Sequence, residues 1–244
     1  MSTKYYKMKT NKRFLQRVKY LILSICIATI ASNMKAEAQS PVSFQAKGGV
    51  GVASFWGKNA DGKVKFAYKV GAVMEYAFND VWALQPSLNF VSKGSKDEEE
   101  GVGKMTMNQL YLELPVMMAA RLNLTENSNL VISAGPYVAC GVGGKTSAAI
   151  ELMVPSLVGF ETVVEKYKLN TFGSLADGKM GNKRFDGGIA LNVAYENRHI
   201  ILGAEGQLGF VNVNDGVKEI AELAGLGSFT AKNISAFVTV GYKF

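Results

Sequence analysis

The sequence predicts an all-β chain that closes into an eight-stranded antiparallel, up-and-down transmembrane β-barrel. Three observations predict it. Eight segments alternate apolar and polar residues with a period of two, their connections are alternately short and long, and no apolar run after residue 38 approaches the ~18 residues of a spanning helix.

The first segment, Phe44 to Ser54, is glycine-rich and the weakest. In the second, Phe66, Tyr68, Val70, Ala72, Met74, Tyr76 and Phe78 oppose Ala67, Lys69, Gly71, Val73, Glu75 and Ala77, giving one apolar face and one small or charged face. Trp82, Leu84, Pro86, Leu88 and Phe90 follow, against Gln85, Ser87, Asn89 and Lys93. The fourth sets Leu110, Leu112, Leu114, Val116, Met118 and Leu122 against Tyr111, Glu113 and Arg121. Leu130, Ile132, Ala134, Val138 and Val142 oppose Ser133, Gly135 and Tyr137 in the fifth. Phe185, Ile189, Leu191, Val193 and Tyr195 oppose Asp186, Asn192 and Glu196 in the sixth. The seventh places Ile200, Leu202, Ala204, Leu208 and Phe210 against Glu205, Gln207 and Gly209, and the eighth carries Ile234, Ala236, Val238, Val240, Tyr242 and Phe244. Pro86 and Pro136 each remove a ladder donor, which calls for a bulge or a non-donating position.

Short, turn-rich links follow the second, fourth and sixth segments: Asn79-Asp80, Asn123 to Asn129, and Asn197-Arg198. The other links are longer, at Phe55 to Lys65, Ser95 to Lys104, Lys145 to Arg184 and Asn212 to Lys232. Short turns at one end and long loops at the other describe a membrane barrel rather than a soluble sandwich. Two features favour apolar side chains on the outside. The opposite face mixes Gly, Ala and Ser with Lys, Glu, Gln and Asn, as a narrow polar interior requires. Aromatic residues also gather near the ends of the apolar faces, at Phe66, Tyr76, Phe78, Trp82, Phe90, Phe185, Tyr195, Tyr242 and Phe244, as girdles at two membrane interfaces.

The net charge of +7 on 244 residues belongs to the beginning of the chain. Residues 1–38 hold eight of the 27 basic side chains and one of the 20 acids, so residues 39–244 carry nineteen of each. A nucleic-acid partner thereby loses its compositional support. Lys4, Lys7, Lys9, Lys12, Arg13, Arg17 and Lys19, then the apolar Tyr20 to Ala31, then Ala36-Glu37-Ala38 form the three parts of a secretory signal peptide cleaved before Gln39. Residues 39–244 are then one barrel domain. Cleavage removes Cys26 and leaves Cys140 alone, without a disulfide partner.

Across residues 42–244 the chain resembles the PorT-type family of small, porin-like outer-membrane β-barrels. The resemblance rests on Tyr111-Leu112-Glu113-Leu114-Pro115, Ala134-Gly135-Pro136-Tyr137, Phe185-Asp186-Gly187-Gly188 and Gly241-Tyr242-Lys243-Phe244. It implies a bacterial outer-membrane location with outer-membrane lipid around the barrel. It also implies that the terminal Tyr242 and Phe244 are read by the barrel-assembly machinery, and it admits a place in a protein secretion system.

Among chemistry-bearing residues, the strongest constellation lies on the polar faces. Lys69, Glu113 and Glu205 fall near mid-height and Glu75, Arg121 and Glu196 lower, with Gln207 on the same polar face, and charges in a narrow interior must pair into a plug. A proton or ion path along them is the alternative, and with it a narrow pore. Enzyme readings find little: the single histidine, His199, falls at a turn, no zinc-type Cys/His spacing occurs, and Gly141-Val142-Gly143-Gly144-Lys145-Thr146 lacks phosphate-loop spacing and reads as a flexible strand end. No catalytic residue, metal or cofactor is expected. Asp97-Glu98-Glu99-Glu100 reads as a solvated, self-repelling loop tip, with divalent-cation binding the sharper alternative. The apolar stretch Ala148 to Val164 and an amphipathic helix over Val217 to Leu226 either cap the barrel or meet a protein partner of the envelope or cell surface. The expected molecule is a monomer with a structural or interaction role.

Overall fold

In the computed structural model, strand pairing follows chain order for five strands and then skips two. The structure describes residues 41–244 apart from 59, 61, 100–102, 157–158, 175–176 and 215–229, and gives the backbone alone for 99, 150–156 and 159–163. The leader with its cleavage site, the Val217 to Leu226 helix and Glu100 therefore lie outside the described residues. Ten strands form: β1 (Val42–Trp56), β2 (Lys65–Ala77), β3 (Trp82–Glu99), β4 (Gly103–Thr125), β5 (Ser128–Gly143), β6 (Lys145–Ser156), β7 (Gly159–Asn170), β8 (Phe185–Asn197), β9 (Ile200–Gly209) and β10 (Lys232–Lys243).

Eight of them, β1 to β5 and β8 to β10, pair antiparallel in sequence, and β10 returns to β1 from Gln45↔Lys243 to Trp56↔Lys232. The ring has no free edge, the condition an apolar solvent imposes on backbone N–H and C=O groups. Its short connections are Glu126-Asn127, Arg198-His199 and the β2–β3 turn. In that last turn the Asn79 side-chain oxygen accepts from the Val81 and Trp82 amides at 2.9 and 2.8 Å. Arg198 takes a positive φ of 49°, in keeping with a two-residue hairpin turn. The pairing register runs unshifted past Pro86 and Pro136, so neither makes a bulge; the irregularities lie at Leu110/Tyr111 and Asn123/Thr125.

The Lys145 to Arg184 link is not a loop throughout. Gly144, at φ +140°, bends the chain directly from β5 into β6, so the glycine-rich stretch read as a flexible strand end is a corner between two strands. β6 pairs with the upper end of β4, from Gly103↔Ile150 to Met107↔Thr146, and β7 pairs with β6. β3 and β4 also run past their expected ends, pairing from Ser92↔Leu110 up to Glu99↔Gly103. The outcome is a four-stranded sheet, β3–β4–β6–β7, that continues beyond the ring. Its last strand, β7, has an edge that no described strand pairs, and its described side chains from Val164 to Asn170 are all exposed.

Within the ring the faces alternate as the sequence period requires. Phe66, Leu114 and Val238 are 65%, 52% and 70% exposed, whereas Lys93, Glu113 and Asp186 are wholly buried. Side chains of that size left in water forgo ~1.5–3 kcal/mol each, so the outer face is built for an apolar solvent. Phe66 to Tyr76 on β2 and Phe185 to Tyr195 on β8 each span ten residues, ~33 Å along a strand. A barrel-type tilt reduces that to ~25 Å, the height of an outer-membrane apolar band. Phe90 departs from the expected girdle: it pairs with Val70 and Leu112 and sits within the band rather than at its end. Inside, Tyr111, Met117, Tyr137, Val91 and Phe237 fill the space between small residues such as Ala67 and Ala139. Among the described residues no helix is long and apolar enough to cross a membrane.

Candidate functional site

The interior holds two ionic layers, each assembled by residues far apart in sequence and brought together by ring closure. In the central layer, Lys93 of β3 lies 2.8 Å from Glu113 of β4 and 3.5 Å from Asp186 of β8. Its ammonium also sits 4.1 Å from the centroid of the Tyr137 ring. Asp186 accepts further hydrogen bonds from Asn233 at 3.0 Å and the Tyr137 hydroxyl at 3.3 Å. Gln207 of β9 donates to Glu113 at 2.7 Å and to Glu205 at 3.0 Å, and Glu205 is ion-paired with Lys69 of β2. Lys69, Glu205, Gln207, Glu113, Lys93 and Asp186 thus form an unbroken polar chain across the ring.

The lower layer lies near the short turns. Glu75 receives Arg121 at 2.5 Å, Lys243 at 2.9 Å and the Gln85 amide at 2.7 Å. Glu196 receives Lys243 at 2.8 Å and Arg121 at 3.6 Å. Between the layers a cavity of about 10 Å³, the room of a single water, is lined by Gln45, Lys47, Gln85, Asn192 and Glu196 among others. Lys47 is buried and makes no ion pair with a described residue.

Burial dictates the composition of both layers. The central one holds three buried cations, Lys47, Lys69 and Lys93, and three buried carboxylates, Glu113, Glu205 and Asp186; the lower one holds Arg121 and Lys243 against Glu75 and Glu196. Each is formally neutral, which is what the cost of desolvating an unmatched charge demands. The seven residues named from sequence all point inward, four in the central layer and three in the lower. Lys93, Asp186, Lys47 and Lys243 were not among them. Lys93 and Asp186 already stood on the polar parity of their strands, and that was the available signal.

The far end of the ring is closed by parts of the two long links. Phe172 packs edge-on against Tyr111 with ring centroids 5.4 Å apart. A side chain at Gly141 would strike the Phe172 ring at 2.5 Å, so glycine there permits the cap to seat. Thr171 donates to the Asn108 carbonyl at 2.8 Å, Asn182 donates to the Thr171 carbonyl at 3.0 Å, and Arg184 donates to the Gly141 carbonyl at 2.8 Å. Phe55, Met107, Val213 and Ala231 form an apolar cluster that includes residues of the second link.

The remaining candidates are scattered. His199 is exposed at the β8–β9 turn, stacked on Tyr242 with its Nδ1 2.8 Å from the Lys243 carbonyl oxygen. Glu98 is ion-paired with Lys96 and lies 3.6 Å from Lys104, so this member of the acidic run is a paired residue of β3. Cys140 is exposed on the outer face. Among the described residues no group of His, Cys, Asp and Glu could hold a metal. The carboxylates of the central layer are all engaged by cations or amides, and Glu113 and Asp186 are wholly buried.

Several solved structures are similar to this chain. Ail, the attachment invasion locus protein of Yersinia pestis, shares 14% identity over 83% of this chain and 97% of its own, with a TM-score of 0.36. Neisserial surface protein A shares 12% over 85% and 98%, with a TM-score of 0.39. The N-terminal β-barrel domain of Pseudomonas aeruginosa OprF shares 11% over 82% and 97%, with a TM-score of 0.29. No curated protein matches the chain. A type II intron maturase model matches residues 2–62, a span that takes in a single strand of the ring, β1. The model described as outer membrane protein beta-barrel domain matches residues 35–215, from before β1 to beyond β9. With its closed ring, outward apolar band and ionic interior, the chain belongs to the outer membrane protein beta-barrel domain family.

Proposed function

We propose that this protein is a monomeric, eight-stranded up-and-down barrel of the bacterial outer membrane with a structural or interaction role. Its ring ends and short turns face the periplasm, its lumen is plugged by its own side chains, and its β3–β4–β6–β7 sheet meets a protein partner outside the cell. The observation that carries this reading is the contrast between a neutral interior sealed beneath Phe172 and a sheet that continues past the apolar band with an unpaired edge. A surface carried on a rigid scaffold suits recognition, and an eight-stranded ring has room only for its own side chains.

Cross-linking in intact cells followed by affinity recovery tests the interaction. A reproducible envelope or surface protein, lost when Ser147 to Tyr167 is replaced by a short turn that keeps Thr171 and Phe172, is expected. A PorT-type part in secretion predicts that this partner is a component of a secretion assembly. Recovery of no partner from wild-type cells overturns the interaction role.

A narrow pore is the second reading, favoured by the unbroken chain from Lys69 to Asp186 and the one-water cavity below it. Planar-bilayer recordings decide between the two: the plug predicts a silent protein, and sustained openings abolished by Glu113→Gln with Glu205→Gln establish the pore. The leader reading predicts that the protein recovered from outer membranes begins at Gln39. Recognition of Tyr242 and Phe244 by the assembly machinery predicts that Phe244→Ala slows insertion without lowering the stability of the inserted barrel.

A further inference from the structure

The outer wall of the ring is uneven. On β2 the outward positions carry Phe66, Tyr68, Val70, Ala72 and Met74, whereas on β9 two successive ones are Ala204 and Gly206. The register places Ala134, Leu191, Gly206, Ala236 and Val52 in one row around the wall. Gly206 and Ala236 form a low floor between Leu191 and Val52, which stand ~14 Å apart across three strand spacings. The result is an open apolar groove of about 740 Å³, continued by a second hollow of about 490 Å³ beside Ala204 and Val193.

Nothing in the backbone requires glycine at position 206. Its φ lies outside the left-handed region, and a Cβ built there would meet no atom within 4 Å. Gly51, facing inward on β1, is the opposite case, since a Cβ there would lie 1.9 Å from the Ala236 carbonyl oxygen. Glycine within a strand forfeits stability relative to alanine. At Gly206 that loss returns no contact with a described residue, and the space above it stays open.

Two cationic side chains stand beyond the long-link end of the groove. Lys232 stands one outward position above Ile234 of the groove lining, at the end of β10 that carries the long links. Its ammonium lies 4.8 Å from the centroid of the Trp56 ring, and Trp56 donates to the Gly209 carbonyl at 3.1 Å. Lys58 is exposed on the neighbouring segment, its amide bonded to the Thr230 hydroxyl at 2.8 Å. Neither lysine makes an ion pair with a described residue.

We propose that this groove seats an acyl chain of a phosphorylated glycolipid of the outer leaflet, with the lipid phosphate held between Lys232 and Lys58. The proposal rests on the transmembrane orientation given above. Apolar contact along the floor and a cationic rim at its top match the two ends of such a lipid. A second copy of the chain fits less well, because a two-fold axis along the membrane normal sets hollow against hollow.

The test uses the full protein, purified from membranes in detergent and exchanged with defined lipids, with retained lipid counted by native mass spectrometry. The probes are bisphosphorylated lipid A, its dephosphorylated form and phosphatidylethanolamine. Wild type is expected to retain one bisphosphorylated lipid A in preference to the other two. Gly206→Leu, which fills the floor without striking the wall, is expected to weaken retention about tenfold, and Gly206→Ala about fourfold, one methylene's worth. Lys232→Gln with Lys58→Gln is expected to erase the preference for the phosphorylated probe. Heat-shifted gel migration verifies that each variant is folded. Unchanged retention in Gly206→Leu, equal retention of all three probes, or a wild-type dimer that Gly206→Leu dissociates each overturns the proposal. A wild-type protein that is membrane-embedded but retains no lipid overturns the seat alone, whereas one recovered folded in the aqueous fraction overturns the transmembrane reading itself.

Discussion

Leu112 on β4 and Leu169 on β7 are equally exposed, at 42% each, and answer to opposite solvents. Leu112 belongs to the ring, where the outward side chains between the aromatic girdles are apolar or small and its strand is paired on both sides. Leu169 belongs to the extension, where Lys166, Lys168 and Leu169 share one exposed strand and an edge stays open. Exposure alone therefore does not describe a surface; what it is exposed to does. Lipid offers no hydrogen bonds and enforces closure, while water satisfies an open edge and tolerates mixed faces.

Removing the charge of Lys93 while keeping its bulk should have the largest effect. Lys93→Met leaves Glu113 and Asp186 buried together, and a loss of about 3–5 kcal/mol is expected from urea unfolding in detergent. A midpoint unchanged from wild type shows that the central layer is not an ionic unit. Next comes Leu112→Lys, which should lower the stability of the inserted barrel by ~2–4 kcal/mol near the midplane. Its counterpart, Leu169→Lys, should stay within about 0.5 kcal/mol by the same measurement. Equal losses at the two leucines dissolve the distinction between ring and extension.

The smallest effect is expected at Glu98. The Lys96 hydrogen bond, with help from Lys104, holds its carboxyl below the ordinary carboxylate range. A depressed folded-state value means that this pairing is complete at neutral pH and is lost as pH falls through that lowered value. Carboxyl chemical shifts followed by NMR should show Glu98 titrating below the ordinary carboxylate range, and ~1 M salt should move it back toward that range because the pairing is solvent-exposed. Glu98→Gln should leave the unfolding midpoint of the ring where it was.

The ring was legible because its rule is strict. From Phe66 to Phe78 no even position is polar, and a period of two on that scale admits few other readings. The β6–β7 hairpin was not legible: Ile150, Leu152, Met153 and Val154 crowd apolar residues onto both parities, so the stretch resembled an apolar loop. The ionic layers were legible as a parity and not as partners. Lys93 meets Asp186 across 93 residues, and Lys243 meets Glu75 across 168. Such encounters depend on stagger around the ring, which a single sequence does not encode locally. Phe90 was misplaced for a related reason, since β3 runs on to Glu99 and the end of its apolar face is not the end of the strand.

The seam from Gln45↔Lys243 to Trp56↔Lys232 joins β1 to β10, two strands far apart in the chain. Without β10 the seven other ring strands would present two raw margins to lipid, which has nothing to offer them. The eighth strand therefore completes the wall rather than enlarging it.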